Sequence, residues 1–593
     1  MLKTTICFLL GMCTLLAAQA QQESSVKERM IEHLKKEKFR TPVPVEDAIA
    51  SFEARYFDKK TRSSQELKVS NSSSPAVEEG EAHIAMDPNN NNRMVLSYMD
   101  NSTTGLSFPV YYSNNGGQNW NLSNFNALTY LLQDFGAGTL VAGGGDPIFA
   151  YDKNGKLWFS WIYLAFSQAI PDTAYACMYL ASSTDNGTTW NVASGSDRYI
   201  GRCALNVLTF EPYPNSEGFY DRQWFAMDYS NGSNANSLYC SFIYFPSSLE
   251  PASLVGTTIK KKAGASNGFA PARFQVVSGE TQFGNLVVDK NGNLHVTYSD
   301  LNSNTIYHKV STDGGITYSS AHQIYNGTNL FGAQGNGYIH DRENGTPNLS
   351  IDGDDILHLV WSDFPVSAGP DFNSYYARST DGGNTWSTPL LLTHNGNKFL
   401  MPVVSCHGKK VTIGSYVIDA NKVSDYYFMT STNNGANFGA PQKISTQTTN
   451  FGAISNTGKW FGDYFNSVRN DSKIYNIWSD GRGSSGPKMY VSVTNEWPNA
   501  ITEISPLNAG IELTAVYPVP ANRTLTLSFK SIQAEELDIQ LINLDGKLIM
   551  NQKISIEKGA SKSDLNLPDL AKGNYMLEIQ TKEGIRFSRL ITK

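Results

Sequence analysis

Acids, arginines and tyrosines recur at similar points of this chain, each close to an apolar stretch. Glu81 and His83 lead into Ile84-Ala-Met86, and Asp146 precedes Pro147-Ile-Phe-Ala150. Asp221 and Arg222 stand before Trp224-Phe-Ala-Met227, and Gly462-Asp463-Tyr464 sits in the last such segment. Asp480 and Arg482 follow Trp478, and Arg342 precedes Asn348-Leu-Ser-Ile351. Paired carboxylates can act as acid and base in glycoside hydrolysis. Arginines clamp a carboxylate through two parallel hydrogen bonds. Trp224 and Trp460 offer flat faces for sugar rings. If the segments converge, Asp463, Tyr464, Asp221 and Asp146 are the catalytic candidates. Arg222, Arg482, Arg342, Glu81, His83 and Trp224 are the substrate-binding candidates. The plainer reading is structural. An acid ahead of an apolar strand caps a turn or ties neighbouring repeats together, and a lone histidine packs in a core.

What would position these residues is a repeat. Five phrases share one form: Ser113-Asn-Asn-Gly-Gly-Gln-Asn-Trp120, Ser183-Thr-Asp-Asn-Gly-Thr-Thr-Trp190, Ser311-Thr-Asp-Gly-Gly-Ile-Thr-Tyr318, Ser379-Thr-Asp-Gly-Gly-Asn-Thr-Trp386 and Ser431-Thr-Asn-Asn-Gly-Ala-Asn-Phe438. Their starts lie 70, 128, 68 and 52 residues apart, so the double gap predicts one degenerate copy near residue 247. The third residue can bond nearby backbone N–H groups, and the glycine adopts angles a Cβ forbids. Asn115, Asp185, Asp313, Asp381 and Asn433 are therefore expected to be structural. Between the phrases, apolar strands alternate with Asp turns and Trp/Tyr-rich strands such as Leu157-Trp-Phe-Ser-Trp161 and Leu357-His-Leu-Val-Trp361. Four antiparallel strands per ~64 residues is the plan of a propeller blade. The expected fold is all-β: a multi-bladed β-propeller, of six or seven blades with seven counted, plus a small C-terminal β-sandwich.

The phrase resembles the Asp box, S-x-D-x-G-x-x-W, of the sialidase superfamily. That resemblance implies a propeller with its boxes on outer hairpins, away from the active site. It implies three arginines on a substrate carboxylate, a tyrosine nucleophile paired with a glutamate, and an aspartate acid/base. Arg222, Arg342, Arg482 and Tyr464 are the matching residue types here, and Glu211 or Glu217 would be the glutamate that the resemblance pairs with the tyrosine. The family's Phe/Tyr-Arg-Ile-Pro motif is absent; the nearest phrase is Ala272-Arg273-Phe274. The family also has six blades against the seven units counted.

Residues 500–512 look like a linker. Residues 513–593 then carry Val516-Tyr-Pro-Val-Pro-Ala-Asn522, Leu541-Ile-Asn-Leu-Asp-Gly-Lys547 and Leu567-Pro-Asp-Leu-Ala-Lys-Gly-Asn-Tyr575. These pieces, in this order, resemble the type A sorting domain of the type IX secretion system. The resemblance implies export across the outer membrane, with the secretion machinery as a partner.

The rest of the chain fits an exported protein. Residues 1–20 have the form of a signal peptide, with Lys3, an apolar run and Ala18-Gln-Ala20. Residues 21–70 read as a helical arm, including a short helix over Val45 to Phe57: a pro-segment, an arm packed on the propeller at 71–499 or, most simply, a solvated extension. A net charge of −7 without a long basic run argues against nucleic-acid binding. Cys177, Cys203, Cys240 and Cys406 follow the leader. They are either buried free thiols or disulfides, with Cys177–Cys203 the first pair to test. No cofactor is implied. Asp352-Gly-Asp354-Asp355 and Asp289-Lys-Asn291 have the look of calcium loops, but neither has the full ligand spacing. The function classes left are a glycan-active enzyme (hydrolase or propeller-type lyase), a non-catalytic propeller binding glycans or proteins, and a structural coat protein. A monomer acting on an extracellular glycan or glycoprotein is expected.

Overall fold

The computed structural model describes residues 43–56, 66–69, 78–495 and 511–592, apart from 103–104, 167–171, 192, 207–208, 210, 331–344, 366–370, 456–460, 483–486, 518–522, 544–547, 572–573, 582–585. The leader, most of the linker, Arg342 and Trp460 lie outside the described residues. Two compact units are present: Met1–Phe428 with Lys443–Thr494, and Met429–Gln442 with Asn495–Lys593.

The larger unit is a β-propeller. Seven strands among the described residues each lead an antiparallel meander: Glu78–Asp87, Leu140–Tyr151, Phe219–Met227, Thr281–Val288, Asn348–Ile351, Asn397–His407 and Ser467–Arg469. Each leading strand packs beside the next, and the last packs beside the first. Side chains tie neighbouring meanders to one another's backbone. The Asn466 amide both accepts from Ile84 N at 2.8 Å and donates to Ile84 O at 2.9 Å. Asn285 donates to Pro347 O at 2.7 Å, and Asn348 accepts from Val404 N at 2.8 Å. Gln223 donates to Asp146 O at 2.5 Å.

Local chemistry explains why these segments turn where they do. Asp87, Asp152, Asp228, Asp289, Asp352 and Asp419 each accept a hydrogen bond from the backbone N–H two residues on. The first five of these Asx turns fix the first hairpin of their meanders, and Asp419 makes the same turn in the second hairpin of the sixth. Asp289 and Asp352, considered above for calcium, are engaged in this way, and Asp352 Oδ2 also meets His358 Nε2 at 3.0 Å. The next strands are buried on both faces. In Leu157–Phe166, Phe159 and Trp161 enter one core and Trp158 and Ile162 the adjoining one. A strand sandwiched between blades must be apolar throughout, hence its Trp and Tyr content.

The five Ser-led phrases all adopt one turn. The serine Oγ accepts from the glycine N–H at 2.8–3.0 Å, and donates to the Asp or Asn oxygen at 2.7–3.0 Å. The third residue also accepts from the backbone N–H four residues on. These acids are held inside their own hairpins. Four of the turns follow the third strand of a meander in the larger unit. No such turn occurs near 247. Ser247 lies between the second and third strands of its meander, Leu238–Phe245 and Gly256–Lys262. The equivalent turn is Ala263–Ala270, where Ser266 N–H bonds Ala263 O at 2.9 Å. The connection through Ala252–Leu254 lengthens this meander and displaces the spacing.

The N-terminal arm differs from a solvated extension. Val43–Pro44 pairs with Leu140–Val141, and the helix Val45–Tyr56 begins with Val45 and Ala48 buried in the core. Glu66–Lys68 pairs with Tyr490–Ser492, supplying the fourth strand of the last meander. The cysteines do not pair: Cys177, Cys203, Cys240 and Cys406 are free. Cys203 faces Ala176 across the ladder while Cys177 faces Arg202. The one-residue offset sends the two thiols to opposite faces of the sheet, where no bridge can form.

The smaller unit contains a two-sheet sandwich of seven strands among the described residues, ordered Ile511–Tyr517, Thr524–Ser531, Gly559–Asn566 and Leu548–Ile556, Glu535–Asn543, Asn574–Thr581, Arg586–Thr592. Alternate residues Leu525, Leu527, Phe529, Leu537, Ile539 and Leu541 fill its core.

The closing seam of the ring is tight. A Cβ on Gly80 would lie 2.8 Å from Gly462 N and from the Phe461 carbonyl. Gly396, at a hairpin tip with φ +79°, has nothing within 4 Å of its would-be Cβ. Gly396→Ala is therefore expected to cost only the left-handed strain of about 1 kcal/mol, and Gly80→Ala several times that. Chemical denaturation of both variants checks the order; equal losses would show that the seam is not close-packed.

Candidate functional site

Five leading strands break their ladder at an equivalent point, between Gly80 and His83, Gly145 and Ile148, Asp221 and Trp224, Gln282 and Asn285, and Leu400 and Val403. At each break one residue is left-handed: Glu81 (φ 49°), Asp146 (60°), Arg222 (53°), Phe283 (60°) and Met401 (52°). Gly462 (φ 96°) does the same beside the seventh strand. A bulge re-aims a side chain out of the alternating pattern. Non-glycine residues held at positive φ cost roughly 1–2 kcal/mol each.

The re-aimed side chains meet, although they come from different strands. Asp146 N–H donates to Glu81 Oε2 at 3.1 Å. The Arg222 guanidinium lies 4.9 Å from the ring centres of Phe283 and Tyr464 and 5.9 Å from that of Trp224. Trp224 meets Tyr464 edge-on at 5.7 Å and His83 at 5.6 Å. Arg222 is 6% exposed, and none of its three guanidinium nitrogens has a hydrogen-bond partner among the described residues. Burial lowers its pKa, opposed by Asp146, Tyr464, Glu81 and Asp221 in that order. Burial raises the Tyr464 hydroxyl well above its ordinary range, Asp146 and Glu81 raise it further, and Arg222 pulls it down. The phenol is held protonated. His83 Nδ1 accepts from Phe149 N–H at 3.3 Å, and burial pushes its pKa down to about 3.

Seven of the ten site residues named from sequence thus gather in one region: Glu81, His83, Asp146, Asp221, Arg222, Trp224 and Tyr464. Asp463 is beside them in sequence, 7% exposed, with its carbonyl accepting from Thr346 Oγ1 at 3.1 Å. Arg482 is held elsewhere. It binds Asp480 at 2.6 Å and Thr446 at 3.1 Å and stacks on Tyr490 at 3.9 Å. Glu217 accepts from Tyr220 at 2.9 Å, and Glu211 is exposed with its N–H donating to Thr209 Oγ1 at 3.3 Å; neither lines the cavity of Tyr464. The residues that sequence reading missed are Phe283 and Met401 at the bulges, and Gln223, Asn285, Asn348 and Asn466 in the ties. Polar residues within otherwise apolar leading strands were the available signal.

Arg222, Trp224, Met401, Asp463 and Tyr464 line a cavity enclosing about 300 Å³ of non-atom space. Within it the room left for a water-sized occupant is about that of one water. Among the described residues no group of three or more His, Cys, Asp or Glu is placed to hold a metal ion.

Residues 515–593 match the family described as secretion system C-terminal sorting domain. The protein is thereby exported through the periplasm and outer membrane, to be released or kept at the cell surface. No curated protein matches the chain. Similar solved structures include the GH93 α-L-arabinofuranosidase of Fusarium graminearum with arabinobiose (15% identity, 74% of this chain and 98% of that one, TM-score 0.37). A PL25 ulvan lyase is similar over 74% of this chain and 98% of that one, at 12% identity and TM-score 0.40. Trypanosoma rangeli sialidase is similar over 76% and 84%, at 11% identity and TM-score 0.35.

His83 makes stability depend on pH with a definite sign. Its pKa is about 3 folded and near 6.5 unfolded, so between these values the unfolded chain binds the extra proton. Stability is full above about 6.5 and falls as pH drops toward 3. His83→Asn, which keeps an acceptor for Phe149 N–H, is expected to flatten the fall in melting temperature between pH 7 and 4.5. An unchanged pH slope in that variant would refute the assignment.

Proposed function

We propose that the larger unit is a seven-bladed, glycan-directed propeller whose axial cluster hydrolyses or binds an extracellular saccharide. The observation that carries this reading is Arg222: a buried cation with no hydrogen-bond partner for its guanidinium among the described residues, ringed by aromatics, with Glu81 and Asp146 close enough to shift its pKa. An unsatisfied buried guanidinium is costly to the free protein, so a ligand acceptor is its natural complement. In the hydrolase reading Asp146 transfers the proton, Arg222 orients the substrate, and Trp224 offers an apolar ring face. Tyr464, held as the neutral phenol, serves better as a hydrogen-bond donor than as a ready nucleophile. A sialoside is one substrate compatible with an arginine at the centre.

The second reading, a non-catalytic glycan- or protein-binding propeller, is favoured by the tightness of the cavity. Turnover of a fluorogenic sialoside and a glycan panel by the mature chain separates the two. In the hydrolase reading Asp146→Asn lowers kcat by about 10²–10⁴-fold, and Arg222→Met removes binding, with circular dichroism unchanged. Binding on a glycan array without turnover of any substrate leaves the recognition module. Neither binding nor turnover sinks both.

A further inference from the structure

A second cleft, of about 610 Å³, lies apart from the axial cavity and shares no lining residue with it. Its size falls within the range of small-ligand sites. It is walled by the end of the helix Leu128–Phe135, the turn Gly195–Arg198, the edge strand Tyr199–Asn206, and Glu217, Lys260 and Phe269.

The charges of this cleft do not cancel. Arg198 is paired with Asp134, whose other oxygen accepts from Tyr179 at 2.7 Å and also from Tyr199. Lys260 has a side chain only 4% exposed. Its ammonium donates to Ile200 O at 2.6 Å and lies 3.8 Å from Glu217, so one of its three N–H groups has a short partner. Arg202 is exposed, and no carboxylate lies within 4.0 Å of its guanidinium among the described residues. That guanidinium is laid over Phe135 and Tyr175, each at 5.1 Å, and Tyr199 at 5.8 Å. Three cations thus face two acids, and the cation left over is already fixed on aromatic faces. A pre-positioned side chain loses little freedom on binding.

We infer that this cleft is a binding site for an acidic saccharide, independent of the axial cluster. Its carboxylate or sulfate group sits on Arg202 with Lys260 behind it. Its hydroxyls bond Glu217 and Gln133, and Phe269 supplies an apolar face. The site binds and does not react.

Isothermal titration of the mature chain tests this with three probes of equal length: an oligogalacturonate, a heparin-derived sulfated oligosaccharide and a neutral cello-oligosaccharide. The expected result is binding of at least one acidic probe, weakened tenfold or more by Arg202→Ala, abolished by Arg202→Glu, and reduced by salt. Binding of the oligogalacturonate shows that a carboxylate suffices, and binding of the heparin-derived probe alone shows that sulfate is required. Arg202 is exposed, so both variants should fold, and a melting curve verifies it. No binding of either acidic probe, equal binding of the neutral one, or affinity unchanged in Arg202→Glu overturns the proposal. Binding lost in Arg222→Met but kept in Arg202→Ala places the ligand in the axial cavity and overturns it as well.

Discussion

Each leading strand of the propeller faces the same geometric conflict. It must pair along its length with its own blade, yet at one end it crowds against six others around an axis. In five of these strands the chain resolves this by breaking the ladder and turning a residue left-handed, at Glu81, Asp146, Arg222, Phe283 and Met401. Glycine would take that conformation without strain, and at position 462 it does. Where glutamate, aspartate and arginine hold it instead, the side chain is delivered into a shared space it could not reach from a regular strand. The local strain and the gathering of buried charge are one feature seen at two scales. Proteins keep such strained, unsatisfied sites where a ligand is to be met.

The surrounding structure holds these residues in place. The amides of Asn285, Asn348, Asn466 and Gln223 reach across to the next blade's backbone, so buried polar atoms close the ring where an apolar core cannot. Outward from these ties, packing is almost wholly aromatic and aliphatic, as in the stacked Phe149, Phe159 and Trp161. Asp turns and serine-led turns end the hairpins. The helix at Val45–Tyr56 and the strand at Glu66–Lys68 join this packing from the N-terminal side.

Much of this was legible in the residues. The five serine-led turns, the Asp that closes the first hairpin of five meanders and the all-β plan follow from short-range chemistry, which a sequence carries explicitly. So does the gathering of Glu81, Asp146, Arg222 and Tyr464, because equivalent positions in a repeat become neighbours around an axis. What could not be read depends on register and distance. The offset that separates Cys177 from Cys203 is a matter of one residue in a ladder. Arg482 satisfies itself on Asp480 two residues away, a local bond that outcompetes a distant one. The third meander was misplaced because its extra connecting residues shift the repeat, and Glu66–Lys68 lacks the apolar length that marks a strand.

The pairing of Glu66–Lys68 with Tyr490–Ser492 bears on how the protein comes to be made. These two strands are separated by nearly the whole propeller sequence. During synthesis the early strand has no partner until the last blade has left the ribosome, and the sorting domain that follows emerges later still. The ring thus closes only after its last blade has been made, and the export address is written after that. A truncated chain lacks both, so an incomplete propeller is never carried to the cell surface by this route.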